Sequence, residues 1–433
     1  MSKVFEKLIF KQIEEYIEPF LSKHLTGFRK NHNTQNSLLY MLEKWKESLD
    51  QKKVIGAIYM DLSKAFDTLH HDLLISKLDA YGFSYSALTY IKSYLSNRSQ
   101  RVNVNNNFSS WQNIKTGVPQ GSILGPLLFN IYLNDIFTFL SSSFLANYAD
   151  DTTLYSIHTN YKIMETTLRE NFSQIKIWFY ENFMQINPSK CHYMCLGQSK
   201  EKHDFILDDI TKLELTHEHE MLGVIIDSNL KFDSHINTLC KKVGKKLNAL
   251  TRVSQFLQPI QKQLLYNSFI KSQFSYCPLI WMFCSNYSNN LINKLHERAL
   301  RMISGNYTST FQELLNDNNE TTIHVRNTHL LLIEIFKFVN ELSPEIMNEI
   351  FKLKENTYHL RNPRELFATK KSTIKFGIDT ISYKATQLWQ NLPHFMKNVP
   401  SLAIFKNSIT HLEINSSQCR LCKTYIKNLG YID

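Results

Sequence analysis

Two short β-prone runs, Phe144-Leu-Ala-Asn-Tyr148 and Thr152-Thr-Leu-Tyr155, are separated only by Ala149-Asp150-Asp151. Runs of this kind that close around a tight turn read as a hairpin. Two adjacent carboxylates are thereby put at its tip. Adjacent acids in a turn are most often just solvated, so their meaning depends on what else reaches that edge. Val54-Ile-Gly-Ala-Ile-Tyr-Met60 is short, continuously apolar and β-prone, with Lys52-Lys53 before it and Asp61 after it. That is the pattern of a strand buried on both faces, and it ends on a third carboxylate. Hard cations such as Mg²⁺ prefer oxygen ligands, and carboxylates on neighbouring strand ends can hold two ions about 3.5 to 4 Å apart. Such a pair serves in-line phosphoryl transfer, one ion activating an attacking hydroxyl and the other stabilising the leaving oxygen.

The elements around these strands follow from periodicity. Apolar residues recur at helical spacing over Val4 to Leu21 and Thr34 to Leu49, on either side of the turn-like Gly27-Phe-Arg-Lys-Asn-His-Asn33. Helices are expected over Asp72 to Tyr81, Tyr85 to Leu95, Leu124 to Phe139 and Ile163 to Phe183. A hairpin is expected around Gln100 to Asn105 and the Asn105-Asn106-Asn107 turn, and strands over Cys191 to Leu196 and Leu222 to Asp227. From His235 to about Arg301 helical spacing takes over, and strand signals stay sparse until Ser372 to Tyr383. The aromatic residues Phe256 and Tyr266 fall on the apolar periodicity and read as core.

A chain of 433 residues has room for two or three packed units. Apolar residues at 43% and charged residues at 20% exclude a mostly disordered protein. Lys and Arg outnumber Asp and Glu by 49 to 39, a balance that suits a polyanionic partner without proving one. Seven cysteines, an odd number, do not form a secreted disulfide framework. The start, Met-Ser-Lys-Val-Phe-Glu-Lys-Leu, lacks the apolar stretch of a signal peptide. The apolar run Leu330 to Val339 is broken by Glu334 and Lys337, well short of a span of about 20 residues. An intracellular protein without a membrane partner is expected, with nucleus and cytoplasm both open.

The strings around the acids are specific. Asp61-Leu-Ser-Lys-Ala-Phe-Asp67, Gly117-Val-Pro-Gln-Gly-Ser-Ile-Leu-Gly-Pro126 and Tyr148-Ala-Asp-Asp151 resemble motifs A, B and C of reverse transcriptases, in that order. Asn187-Pro-Ser-Lys190 and Met221-Leu-Gly-Val-Ile-Ile-Asp227 resemble motifs D and E. The fuller strings Ala65 to His71 and Gly125 to Asp135 look most like the jockey-like branch of non-long-terminal-repeat retrotransposons. The resemblance implies an α+β fold: a right-hand polymerase palm, an antiparallel sheet with packed helices, joined to partial fingers. A helical thumb and a mixed C-terminal region follow. The expected divisions are 1–227 for partial fingers and palm, 228–302 for thumb and 303–433 for a C-terminal domain.

The resemblance further implies RNA-directed DNA synthesis with an RNA template, a DNA primer and dNTPs, and two Mg²⁺ or Mn²⁺ ions. Asp61, Asp150 and Asp151 become the catalytic acids and metal ligands, helped by the Leu62 carbonyl. Lys190 becomes the proton donor to pyrophosphate. Phe66 is the aromatic gate against a ribose 2′-hydroxyl, the group that separates ribo from deoxyribo substrates. Gln120 and Gly121 face the incoming nucleotide, Arg29 offers positive charge beside it, and Gly223 lies in the primer-grip strand. Lys241, Lys242, Lys245 and Lys246 share one side of a helix suited to gripping phosphates. Family members carry nucleotide-clamping fingers segments ahead of Gly27-Phe28-Arg29, whereas 26 residues precede Gly27 here. An N-terminally truncated copy is therefore expected, the alternative being an inactive remnant that only binds RNA or DNA. Cys419-Arg-Leu-Cys422 has the spacing of half a zinc site, but no second pair follows and only His411 is near. Structural zinc is not expected.

Overall fold

A computed structural model describes residues 2–140, 142–198, 203–207, 212–354, 365–366, 371–410 and 421. Two compact units divide the chain: Met1–Ser37 with Lys52–Thr216, and Leu38–Gln51 with His217–Asp433.

In the first unit, α1 (Ser2–Ile17) leads to the loop that carries Gly27, and the first turn of α2 (Thr34–Asp50) follows. Strand β1 (Val54–Met60) is buried at every position. That burial agrees with its unbroken apolar run and requires partners on both edges and cover on its faces. Helices α3 (His71–Ala80) and α4 (Tyr85–Leu95) come next. Four two-residue strands, β2 (Ser99–Gln100), β3 (Asn103–Val104), β4 (Asn107–Phe108) and β5 (Gln112–Asn113), then build one long hairpin in two steps.

Helix α5 (Leu124–Leu133) is apolar on all sides and almost wholly buried, as a helix with no polar face must be. A 3₁₀ stretch, Asn134–Thr138, extends it. The hairpin of β6 (Phe144–Tyr148) and β7 (Asp151–His158) precedes α6 (Tyr161–Glu181), and β8 (His192–Leu196) completes the sheet. The sheet order is β6-β7-β1-β8, antiparallel throughout, with Ala57 opposite Tyr155 on one side and Met194 on the other. Helix α6 packs on β1 and β7 and buries Met164, Leu168, Phe172, Ile175 and Phe179, which recur at helical spacing.

The second unit, as far as it is described, is mainly helical. A short hairpin of Glu218–Met221 and Val224–Asp227 is followed by α7 (Asp233–Val253), which buries His235, Ile236, Val243 and Leu247. Two expectations are corrected here. Phe256 is 79% exposed, because its 3₁₀ turn Ser254–Phe256 projects it off the helix end, whereas Tyr266 is fully buried. The strand signal over Ser372 to Tyr383 gives way to a π-helical turn, Ile374–Ile378, and a helix, Ile381–Asn391. The cause is tertiary. The Asp50 carboxylate accepts from the Ser372 and Thr373 amides (2.9 and 2.7 Å), and the Glu43 carboxylate accepts from the Ile381 and Ser382 amides (3.1 and 3.0 Å). Carboxylates supplied at helix starts stabilise helix over strand. His411, Cys419 and Cys422 lie outside the described residues.

Candidate active site

The register of the sheet brings the acids to one edge. Met60 pairs with Thr152, so the next residues along the antiparallel ladder are Asp61 and Asp151. Tyr148 pairs with Asp151 across the hairpin, leaving Ala149 and Asp150 as the turn, with Ala149 at φ 57°. Asp150 and Asp151 are exposed by area, and Asp61 is partly exposed. The Asp151 carboxyl is nevertheless raised above its usual value, first by the protein crowding beneath the tip and then by the charges of Asp150 and Asp61. Convergent like charges favour the neutral form of a carboxyl even at a half-open site.

Lys190 Nζ stands 3.3 Å from Asp61 Oδ2, both side chains being well exposed. Such a pair adds little stability but keeps the ammonium at the acids. The Asn187 amide donates to the Asp61 carbonyl and the Ser63 amide to the Gln185 carbonyl, each at 2.9 Å, which makes the bridge of Leu62 with Ile186. Cys191, read in the sequence as the start of a strand, is buried beside this bridge, its thiol donating to the Asn187 carbonyl at 3.3 Å. Burial raises its pKa, which keeps it a thiol and favours packing over nucleophilic chemistry.

Phe66 sits in the 3₁₀ turn Ala65–Asp67. Its ring stacks on Phe129 with centroids 4.4 Å apart and meets the Phe28 edge at 5.9 Å. The glycine-rich loop is laced to the same turn. The Gly117 amide donates to the Leu69 carbonyl (2.8 Å), the Val118 amide to the Phe66 carbonyl (3.0 Å) and the Thr116 hydroxyl to the Asp67 carbonyl (2.9 Å). Gly117 has φ 82°, and a Cβ there would fall 2.7 Å from Asp67 Cα, so only glycine fits on both counts. Gly121 also has positive φ, 76°, but faces open space. Gln120 donates through Nε2 to Asp67 Oδ1 at 3.0 Å. Asp67 closes the first motif in sequence, but its bond to Gln120 is visible only in three dimensions.

Arg29 is committed to its own loop. Its guanidinium donates to the carbonyls of Ser22 (2.6 Å) and Leu25 (3.0 Å) and to Glu18 Oε1 (2.6 Å), and its side chain is 8% exposed. The loop it braces bears on the acids. The Thr26 amide and hydroxyl both donate to the Asn147 carbonyl (3.2 and 2.6 Å), and Asn130 Nδ2 donates to the Gly27 carbonyl at 2.7 Å. From the buried side, Asn147 Nδ2 donates to the Ala149 carbonyl (2.8 Å) and the Thr152 hydroxyl (2.9 Å). Sequence reading missed these asparagines; their signal is a polar residue inside a strand or helix that is otherwise apolar.

The remaining expected residues belong to the second unit. Gly223 has φ 72° in the Leu222-Gly223 turn, where Tyr276 Oη donates to the Leu222 carbonyl at 2.7 Å. Lys241, Lys242 and Lys245 are exposed on α7 and Lys246 partly so, opposite the buried Val243 and Leu247.

Among the described residues, no group of three or more His, Cys, Asp and Glu side chains is arranged to ligate an ion. The donor set itself suits a hard cation: exposed carboxylate oxygens whose mutual repulsion, felt at Asp151, an added positive charge would relieve. No helix among the described residues is long and apolar enough to cross a membrane.

An antiparallel sheet backed by helices, with paired acids on a hairpin tip beside a strand-ending acid, defines a polymerase palm. The family profile described as reverse transcriptase (RNA-dependent DNA polymerase) matches residues 1–226, and the chain belongs to that family. It is 27% identical over 70% of its length to the probable RNA-directed DNA polymerase from transposon BS of Drosophila melanogaster, covering 35% of that protein. It is 28% identical over 70% of its length to the RNA-directed DNA polymerase from mobile element jockey of Drosophila funebris, covering 34% of it. The chain thus spans about a third of the length of these curated relatives. A solved apo telomerase from Candida tropicalis overlaps 99% of this chain and 61% of its own at 11% identity and TM-score 0.41. Reverse transcriptases generally use divalent metal ions.

Proposed function

We propose that this chain performs RNA-directed DNA synthesis for a non-long-terminal-repeat, jockey-like mobile element, transferring a nucleotide from a dNTP to a DNA primer 3′-hydroxyl on an RNA template. The observation that carries the reading is the convergence of Asp61, Asp150 and Asp151 on one sheet edge, where burial and then the charges of Asp150 and Asp61 hold the Asp151 carboxyl above its usual value. These three side chains, with the Leu62 carbonyl, would hold two Mg²⁺ or Mn²⁺ ions. When bound, such ions supply a more acidic 3′-hydroxyl and neutralise charge on the phosphates.

The chain's own groups do the rest. Lys190, kept at the acids by Asp61, donates a proton to the departing pyrophosphate. The Phe66 ring, immobilised against Phe129, fills the space a 2′-hydroxyl would need. Gln120, oriented by Asp67, meets the incoming nucleotide over the open Gly121 turn. Arg29 acts by bracing the 22–29 loop. In this reading residues 1–227 form partial fingers and palm, and 228–302 a thumb whose α7 lysines grip phosphates. Gly223 lets the primer strand approach, and 303–433 form a C-terminal part.

The test is extension of a DNA primer on an RNA template by the purified chain with Mg²⁺, beside Asp150→Asn. The expected result is dNTP incorporation that falls by roughly 10³-fold or more in the variant, the scale on which catalytic carboxylates act. No extension by the unaltered chain, or equal extension by the variant, overturns the proposal.

A further inference from the structure

We infer that the two-step hairpin of β2 to β5 is a separate nucleic-acid contact, a stacking platform for single-stranded RNA. The inference rests on the proposed polymerase reading only in taking the polyanion to be a polynucleotide. Its first support is charge. Between Asp79 and Asp135 the sequence contains no Asp or Glu, although the chain has 39 of them, while Lys92, Arg98, Arg101 and Lys115 fall in that interval. No carboxylate of the segment offsets these cations, so the hairpin favours a polyanion.

The second support is an aromatic face that no core covers. Every residue from 99 to 113 is exposed, so neither face of the hairpin packs on a core. Asn103 pairs with Phe108, which puts Arg101, Asn103 and Phe108 on one face. The Arg101 guanidinium stands 3.9 Å from the Phe108 ring centre and 4.7 Å from that of Trp111. Both rings remain open to solvent, 53% and 60% exposed. The other four tryptophans, Trp45, Trp178, Trp281 and Trp389, are all buried. Exposed rings interleaved with a cation are what unpaired bases stack on, since every base offers a π-face. A duplex keeps those faces covered, which selects a single strand. RNA is selected over DNA by the exposed amides of Asn103, Asn105, Asn106 and Asn107 at the hairpin end, which can donate to and accept from a 2′-hydroxyl.

Because Trp111 is the exposed tryptophan, its fluorescence reports on this hairpin. The full chain, in EDTA and without nucleotides, is titrated with oligo(rU) of about 12 nucleotides, within the usual reach of such platforms. Quenching is followed beside anisotropy of the labelled strand. The expected result is quenching by oligo(rU), weaker binding of oligo(dU) and of duplex RNA, and a loss of affinity of roughly 10-fold or more in Trp111→Ala, the scale of one stacked base. Trp111→Phe keeps a ring and holds affinity within about threefold while losing the signal. The position is exposed, so these variants fold. Unchanged affinity in Trp111→Ala overturns the platform. Equal binding of oligo(dU) overturns the choice of RNA. Weaker self-association in Trp111→Ala with RNA affinity intact would make the face a contact between copies and overturn it as well. The titration needs neither metal nor catalysis, so its failure and failure of the extension assay are read separately.

Discussion

Gly27→Ala adds one methyl group, and the structure says where it would go. A Cβ on Gly27 would stand 2.3 Å from the Ala149 amide nitrogen and 2.9 Å from Ala149 Cα. Both are backbone atoms of the turn that carries Asp150, so no side chain can rotate out of the way. To reach even the 3.4 Å edge of ordinary contact, the loop and the tip must part by about 1 Å. The loop is held by the Asn130 bond to the Gly27 carbonyl and by Thr26 on Asn147, so the tip must give. Overpacking of this kind costs roughly 1 to 3 kcal/mol, or about 2 to 12 °C in melting temperature for a unit of some 200 residues. The greater effect should be on catalysis, where a misplacement of about 1 Å costs on the order of 10²-fold. Thermal unfolding and single-turnover primer extension, the latter run well below the melting temperature, measure the two separately. A variant that melts early yet extends primers at the normal single-turnover rate would refute the claim that Gly27 positions the acids. One unchanged in both would refute the contact itself.

Asp67→Ala frees Gln120 from its 3.0 Å acceptor; KM for the incoming dNTP should rise severalfold while kcat changes less, and steady-state incorporation with an unchanged KM would dismiss the positioning role. A pH effect is expected from two histidines of the second unit. Burial, followed by the charges of Arg326 and Lys271, pushes His296 down to about 3, and burial pushes His235 down to about 4. The unfolded chain takes up these protons near pH 6.5 and the folded one does not, so acid favours unfolding. Stability should therefore fall as pH drops below about 6.5 toward 4, by a few kcal/mol in all. Urea melts across that range should show a weaker slope in His296→Phe, and an identical slope would exclude His296 as a source.

The strands and helices that frame the acids were legible because their cause is local. The unbroken apolar run of Val54 to Met60 has no solvent face to offer and so becomes a central strand. Phe144 to Tyr155 carries its turn within itself, and the helical spacing of α6 and α7 buries one stripe whatever it packs against. The positions of Asp61, Asp150 and Asp151 on strand ends follow from these runs. Phe256 failed the same reasoning because periodicity holds only while the helix lasts, and its residue lies one turn past the end.

What the sequence by itself determined is which residues end which strands, and the family those motifs define. The tertiary structure alone decided the partners: Glu18 for Arg29, Asp67 for Gln120, the Ala149 backbone for Gly27. It also set the helical turn Ile374–Ile378 and the helix from Ile381 where a strand was expected, because Asp50 and Glu43, more than three hundred residues earlier, supply the acceptors for the free amides. The physical reason is range. Hydrophobic period and turn chemistry act between near neighbours and are written in the order of residues. A hydrogen bond or steric contact between distant segments exists only once the core has brought them together.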